Sequence, residues 1–159
     1  MAAINGRRVV VGGLVGGVVF FVWSMVMEFG LSGALVGRAR MDIAVNAGWF
    51  LKEPRIPAWL FLFVWILSLF VIAHGLAWLY AAMRATAGAG PRTAATLGAI
   101  VGFTAGFPLE FAHGIFQPLS GRYAVMWMLE MFVGCILAAL AAGWMYRESP
   151  APAAAGSAT

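Results

Sequence analysis

"PAWLFLFVWILSLFVIAHGLAWLYAAM", residues 57–83, contains no aspartate, glutamate, lysine or arginine. An α-helix rises about 1.5 Å per residue, so about 20 apolar residues cross the hydrocarbon layer of a membrane. This run is long enough to do so. Tryptophans frame it, with Trp59 and Trp65 near its start and Trp78 and Tyr80 near its end. Such side chains prefer the membrane–water interfaces and fix the depth of the helix.

Working outward, three more stretches qualify: Val9 to about Val36, Thr93 to about Leu119, and Tyr123 to about Tyr146. The chain is 63% hydrophobic and only 10% charged, with a mean hydropathy of +0.91. Soluble domains carry about 25% charged residues, and a core of this size could not hide so much apolar surface. The expectation is an all-α fold, an integral membrane antiparallel four-helix bundle over residues 1–147, with helices at about 9–36, 57–83, 93–119 and 123–146.

The connections carry most of the charge. Residues 38–56 hold Arg38, Arg40, Asp42, Lys52, Glu53 and Arg55 among Ile43, Val45, Trp49, Phe50 and Leu51, which suggests an interfacial helix or cover. "RATAGAGPRTA", 84–94, reads as a turn broken by Gly88, Gly90 and Pro91, with Thr93 placed to cap the next helix. "LSGR", 119–122, reads as a tight hairpin, and the Ala/Pro-rich tail 148–159 as disordered.

The net charge of +4 and pI near 10.0 do not indicate nucleic acid, because the basic residues sit at helix ends rather than on one face. The single cysteine, Cys135, rules out an intrachain disulfide. Arg7-Arg8 before an apolar run resembles a signal sequence, but the run is too long and lacks a small-residue cleavage site, so a retained first helix is expected. Counting Arg and Lys on the two sides gives five against five, and the orientation rests on the tendency of the first helix to dominate. That places both termini in the cytoplasm and the protein in a bacterial inner membrane. The expected partners are the lipid bilayer and a second copy or larger membrane complex.

"VGGLVGGVV", 11–19, places Gly12 with Gly16 and Gly13 with Gly17 on helix faces. "LGAIVGFTAG", 97–106, repeats the pattern with Gly98, Gly102 and Gly106. Small residues four apart let helix backbones approach closely, so these faces are expected to pack at close range. A duplicated two-helix unit would account for the echo.

"WLYAAMRATAGAGPRTA", Trp78 to Ala94, resembles the junction of the second and third helices in a group of uncharacterised small bacterial four-helix membrane proteins. Those also have a glycine-rich first helix containing an acid. The resemblance implies the same topology and carries no assigned activity.

"FPLEFAHGIF", 107–116, raises the functional question. An ionisable residue in a membrane helix costs roughly 2.5–3.5 kcal/mol on insertion scales. The runs contain five: Glu28, His74, Glu110, His113 and Glu130. Counting from each run's midpoint puts Glu28 about 9 Å, Glu110 about 6 Å, His113 about 10 Å and Glu130 about 7 Å toward the first-loop side. His74 falls about 6 Å on the other side. "AHG" occurs at 73–75 and 112–114, but this mismatch makes a bis-histidine haem the weaker reading.

Glu110 and His113 share a helix face, with Gln117 one turn further and Ser24 on the face of Glu28. Glu-x-x-His with carboxylates from two other helices is the ligand vocabulary of metal-binding bundles, so a site for a divalent transition metal is the leading expectation. The same group could pass protons or cations instead, as part of a coupled transport component. Pro108 supports that reading, because it frees a carbonyl near Thr104. The third reading is an accessory subunit whose Glu–His and Glu–Ser pairs only join helices. Met25, Met27, Met126, Met128 and Met131 flank the acids and would suit copper, although methionine is also ordinary membrane-core filler. "WSMVMEF", 23–29, and "WMLEMF", 127–132, resemble one another, consistent with Glu28 and Glu130 facing across the bundle.

Overall fold

A computed structural model of the chain describes residues 4–35, 55–116 and 121–146. The first-loop cover, the 119–122 hairpin apart from Gly121 and Arg122, Gln117 and the tail lie outside the described residues.

Among the described residues, four helices are long and apolar enough to cross a membrane. Helix α1 is Gly6–Met25, prolonged by a π-helical segment, Val26–Leu31, and a final α-turn, Ser32–Leu35. Its start lies where Asn5 caps it, the side chain accepting from the Arg8 N–H at 3.2 Å. Helix α2 is Ala58–Ala87 and follows Pro57. It stops at Gly88, whose φ of +84° lies in the left-handed region that glycine adopts at little cost.

Helix α3 is Pro91–Phe116 and starts two residues before the expected cap. Proline is well suited to a first helical position, since its φ is preset and its missing N–H would be unpaired there anyway. Thr93 therefore does not cap α3. Its hydroxyl reaches back to the end of α2, donating to the Gly88 carbonyl at 2.8 Å. Helix α4 is Gly121–Met145. Among the described residues there is no strand.

The packing is centred on α4, which touches all three other helices and lies between α1 and α3. The two glycine faces explain this arrangement. A Cβ on Gly16 would lie 2.9 Å from the Ala138 carbonyl oxygen, and one on Gly98 would lie 2.6 Å from that of Cys135. The faces thus pack at close range, each on its own side of the α4 backbone rather than on each other. The neighbouring α1 face, Gly13 and Gly17, seats His74 and Phe70 of α2, and Gly134 of α4 seats the Phe20 ring.

The interior is correspondingly small-grained: Ala73, Ala77, Ala138, Ala139 and Ala142 surround Phe20, Leu69, Leu76 and Tyr80. Large apolar side chains such as Val18, Phe61, Val71, Ile100, Phe103 and Leu129 point outward. In lipid this costs nothing, because association there depends on close packing rather than on removing apolar surface from water.

Two substitutions separate close packing from helix propensity. Gly98→Val is expected to cost about 1–3 kcal/mol, because its side chain meets backbone that cannot yield. Gly75→Ala, in α2 with open space around it, is expected to be neutral or to stabilise. Thermal unfolding in mild detergent reads both, and equal effects would contradict this packing.

Candidate functional site

The site is built from one segment of each helix. In α1 the helical ladder widens over Val26–Leu31, a single π-helical turn around Glu28. Such turns are rare, and they recur at functional sites because they re-aim a side chain at the expense of regular hydrogen bonding. The Ser32 hydroxyl donates to the Glu28 carbonyl and helps hold the turn. The Glu28 carboxylate accepts from the Trp127 indole N–H of α4 at 3.3 Å.

In return, the Trp23 indole N–H of α1 donates to the backbone carbonyl of Glu130 at 3.1 Å. The two similar motifs are therefore cross-bonded, the tryptophan of each holding the glutamate residue of the other. Their likeness was the sequence signal for this pair of bonds. The π-turn had none.

Helix α3 supplies Glu110 and His113. The His113 Nδ1 lies 3.2 Å from the Glu110 Oε2, as their spacing on one face allows. Helix α3 runs unbroken through Pro108, and the Thr104 hydroxyl donates to the Ile100 carbonyl at 2.8 Å. Helix α4 supplies Glu130, which is 8% exposed. The Ser24 hydroxyl is fully buried beside this glutamate yet makes no well-formed hydrogen bond.

Glu28, Glu110, His113 and Glu130 line one partly open cavity of about 310 Å³. Trp65 of α2 closes one wall, with Trp127, Met131 and Leu109 around the rest, and among the described residues no lysine or arginine lines it. Among the described residues, three carboxylates from three helices thus meet a space that one histidine shares.

His74 stands apart from this cavity. Its Nδ1 lies 2.8 Å from the Phe70 carbonyl, which can only accept, so Nδ1 carries the proton, and the ring seats against Gly13. Among the described residues, no group of three or more His, Cys, Asp or Glu is arranged to hold a metal ion. The methionines divide: Met27 and Met126 are buried together beneath Trp23, Tyr123 and Trp127, while Met131 reaches the cavity.

Compared with protein-family models, with curated proteins and with solved structures, the chain finds no match.

The Glu130 carboxyl is buried inside a membrane-spanning helix, so it is expected to be held at the expense of stability. Glu130→Gln should therefore melt at or above the wild-type temperature at neutral pH. A clear drop would make Glu130 a structural tie between α1 and α4.

Proposed function

We propose that the cavity is a cation site which exchanges protons for its cation, and that the chain is a component of proton- or cation-coupled transport across a membrane. The observation that carries this is the set of Glu28, Glu110 and Glu130 on one cavity with no lysine or arginine among its described lining residues. Carboxylates in low dielectric cannot all stay ionised without compensating charge. Protons supply that charge in one state, and an entering cation supplies it in the other. Trp65 and Trp127 suit the same role, since an indole face attracts a cation.

Interhelical hydrogen bonds average about 0.6 kcal/mol, too little to offset four ionisable groups that each cost roughly 2.5–3.5 kcal/mol. This weighs against an accessory subunit without chemistry. A divalent transition metal is the second reading, supported by the Glu110–His113 pair, which already brings two donors together. The carboxylates are distributed around a cavity larger than one dehydrated ion, which favours the exchange reading. We further place the protein in a bacterial inner membrane, on the resemblance of residues 78–94 to small bacterial membrane proteins, working as a pair because four helices leave little room for a pathway.

Reconstituted liposomes carrying a pH gradient test the proposal. Proton-driven uptake of a cation is expected, surviving chelator and lost in Glu110→Gln and Glu130→Gln. Stoichiometric bound metal that disappears in Glu110→Ala and His113→Ala, without flux, would establish the second reading instead. Neither flux nor metal would leave the accessory role.

A further inference from the structure

The walls of the acidic cavity bear on which cation it takes, given the reading above that it exchanges protons for one. Among the described residues, Glu28, Glu110 and Glu130 reach it from three helices. Helix α4 lies between α1 and α3, so the acids surround the space instead of closing on one point. Among the described residues, no group of three or more His, Cys, Asp or Glu is arranged to hold a metal ion. A small dehydrated ion needs several oxygens at about 2.0–2.6 Å at once. A bulky cation does not, because its charge is spread over an apolar surface that can face all three carboxylates.

The size agrees with this. The cavity measures about 310 Å³, and pockets for small organic molecules begin near about 300 Å³. Two indoles line it, and both are held in place. Trp65 of α2 meets Phe21 of α1 edge to face, with ring centroids 6.3 Å apart. The Trp127 N–H donates to the Glu28 carboxylate at 3.3 Å, and its ring lies 5.7 Å from that of Tyr123. An indole N–H lies in the plane of its ring, so the Glu28 carboxylate stands at the ring's edge. A cation resting on the ring then has a carboxylate beside it. Alkylated ammonium groups are well suited to such a place, since aromatic rings attract them and they have little hydration to lose.

The rest of the wall is apolar. Ala105, Leu109 and Met131 contribute to it, and Leu109 is 57% exposed on the outer side of α3. On a membrane helix that side meets lipid, which favours a ligand with apolar substituents. We infer that the cavity takes a lipophilic organic cation of the quaternary ammonium class. Trp65 and Trp127 set this specificity, and the three carboxylates supply the countercharge.

Isothermal titration calorimetry of the full chain in mild detergent tests this. The separate titrants are benzyltrimethylammonium, tetramethylammonium, sodium, manganese and benzyl alcohol, which keeps the aromatic ring and lacks the charge. Benzyltrimethylammonium should bind saturably and at least about tenfold more tightly than tetramethylammonium, and benzyl alcohol should not compete with it. Trp65→Leu and Glu110→Gln should each weaken it about tenfold, and Trp65→Phe should restore most of the loss. The comparison of titrants on the wild-type protein decides the matter if a variant does not fold. Equal affinity for the two ammonium ions, competition by benzyl alcohol, or unchanged affinity in Trp65→Leu would overturn the inference. Saturable sodium or manganese binding that benzyltrimethylammonium does not displace would overturn it and leave cation exchange standing. No saturable binding of any of the four cations would overturn both.

Discussion

The bundle depends on the contact between glycine and the α4 backbone. In hydrocarbon, leucine gains nothing by leaving lipid for a neighbouring leucine, so helices associate where their backbones can come close. The Gly12/Gly16 face meets α4 near Ala138 and Ala142, and the Gly98/Gly102 face meets it near Cys135 and Phe132. Held from both sides, α4 becomes the reference to which the other helices are set. The position of Glu130 relative to Glu28 and Glu110 follows from that, because α1 and α3 reach the cavity only as flanks of α4.

The same close packing lets charge survive inside the membrane. Glu28 is aimed by a π-turn and held by the Trp127 indole, while Trp23 fixes the backbone at Glu130. These tryptophans satisfy groups that would otherwise face hydrocarbon unpaired, and they leave the carboxyls of Glu110 and Glu130 directed to a shared space. Among the described residues, Glu28, Glu110 and Glu130 gather at one end of the bundle. The α2–α3 turn lies at the other end, with the Gly90 N–H donating to the Tyr80 hydroxyl.

Much of the fold was legible because the membrane imposes a simple rule of run length, which gave four spans from the apolar stretches alone. The glycine faces were equally plain, but their partner was not. Spacing shows which face is small without showing which helix receives it. Pro91 could have been read as the first residue of α3, and the attraction of Thr93 as a cap obscured it. Five ionisable residues stood out against an apolar background, and depth counting separated His74 from the rest. The structure seats His74 against Gly13, outside the cavity. The π-turn at Glu28 had no sequence signature.

The most direct measurement is proton release on cation binding, followed in weakly buffered detergent solution as sodium, manganese or tetraethylammonium is added in turn. If the cavity exchanges one kind of positive charge for another, at least one of these cations will release protons from the wild-type protein. That release will be smaller when Glu110 and Glu130 are both replaced by glutamine. Cation binding with no proton released, or release that persists unchanged in the double variant, would contradict the account.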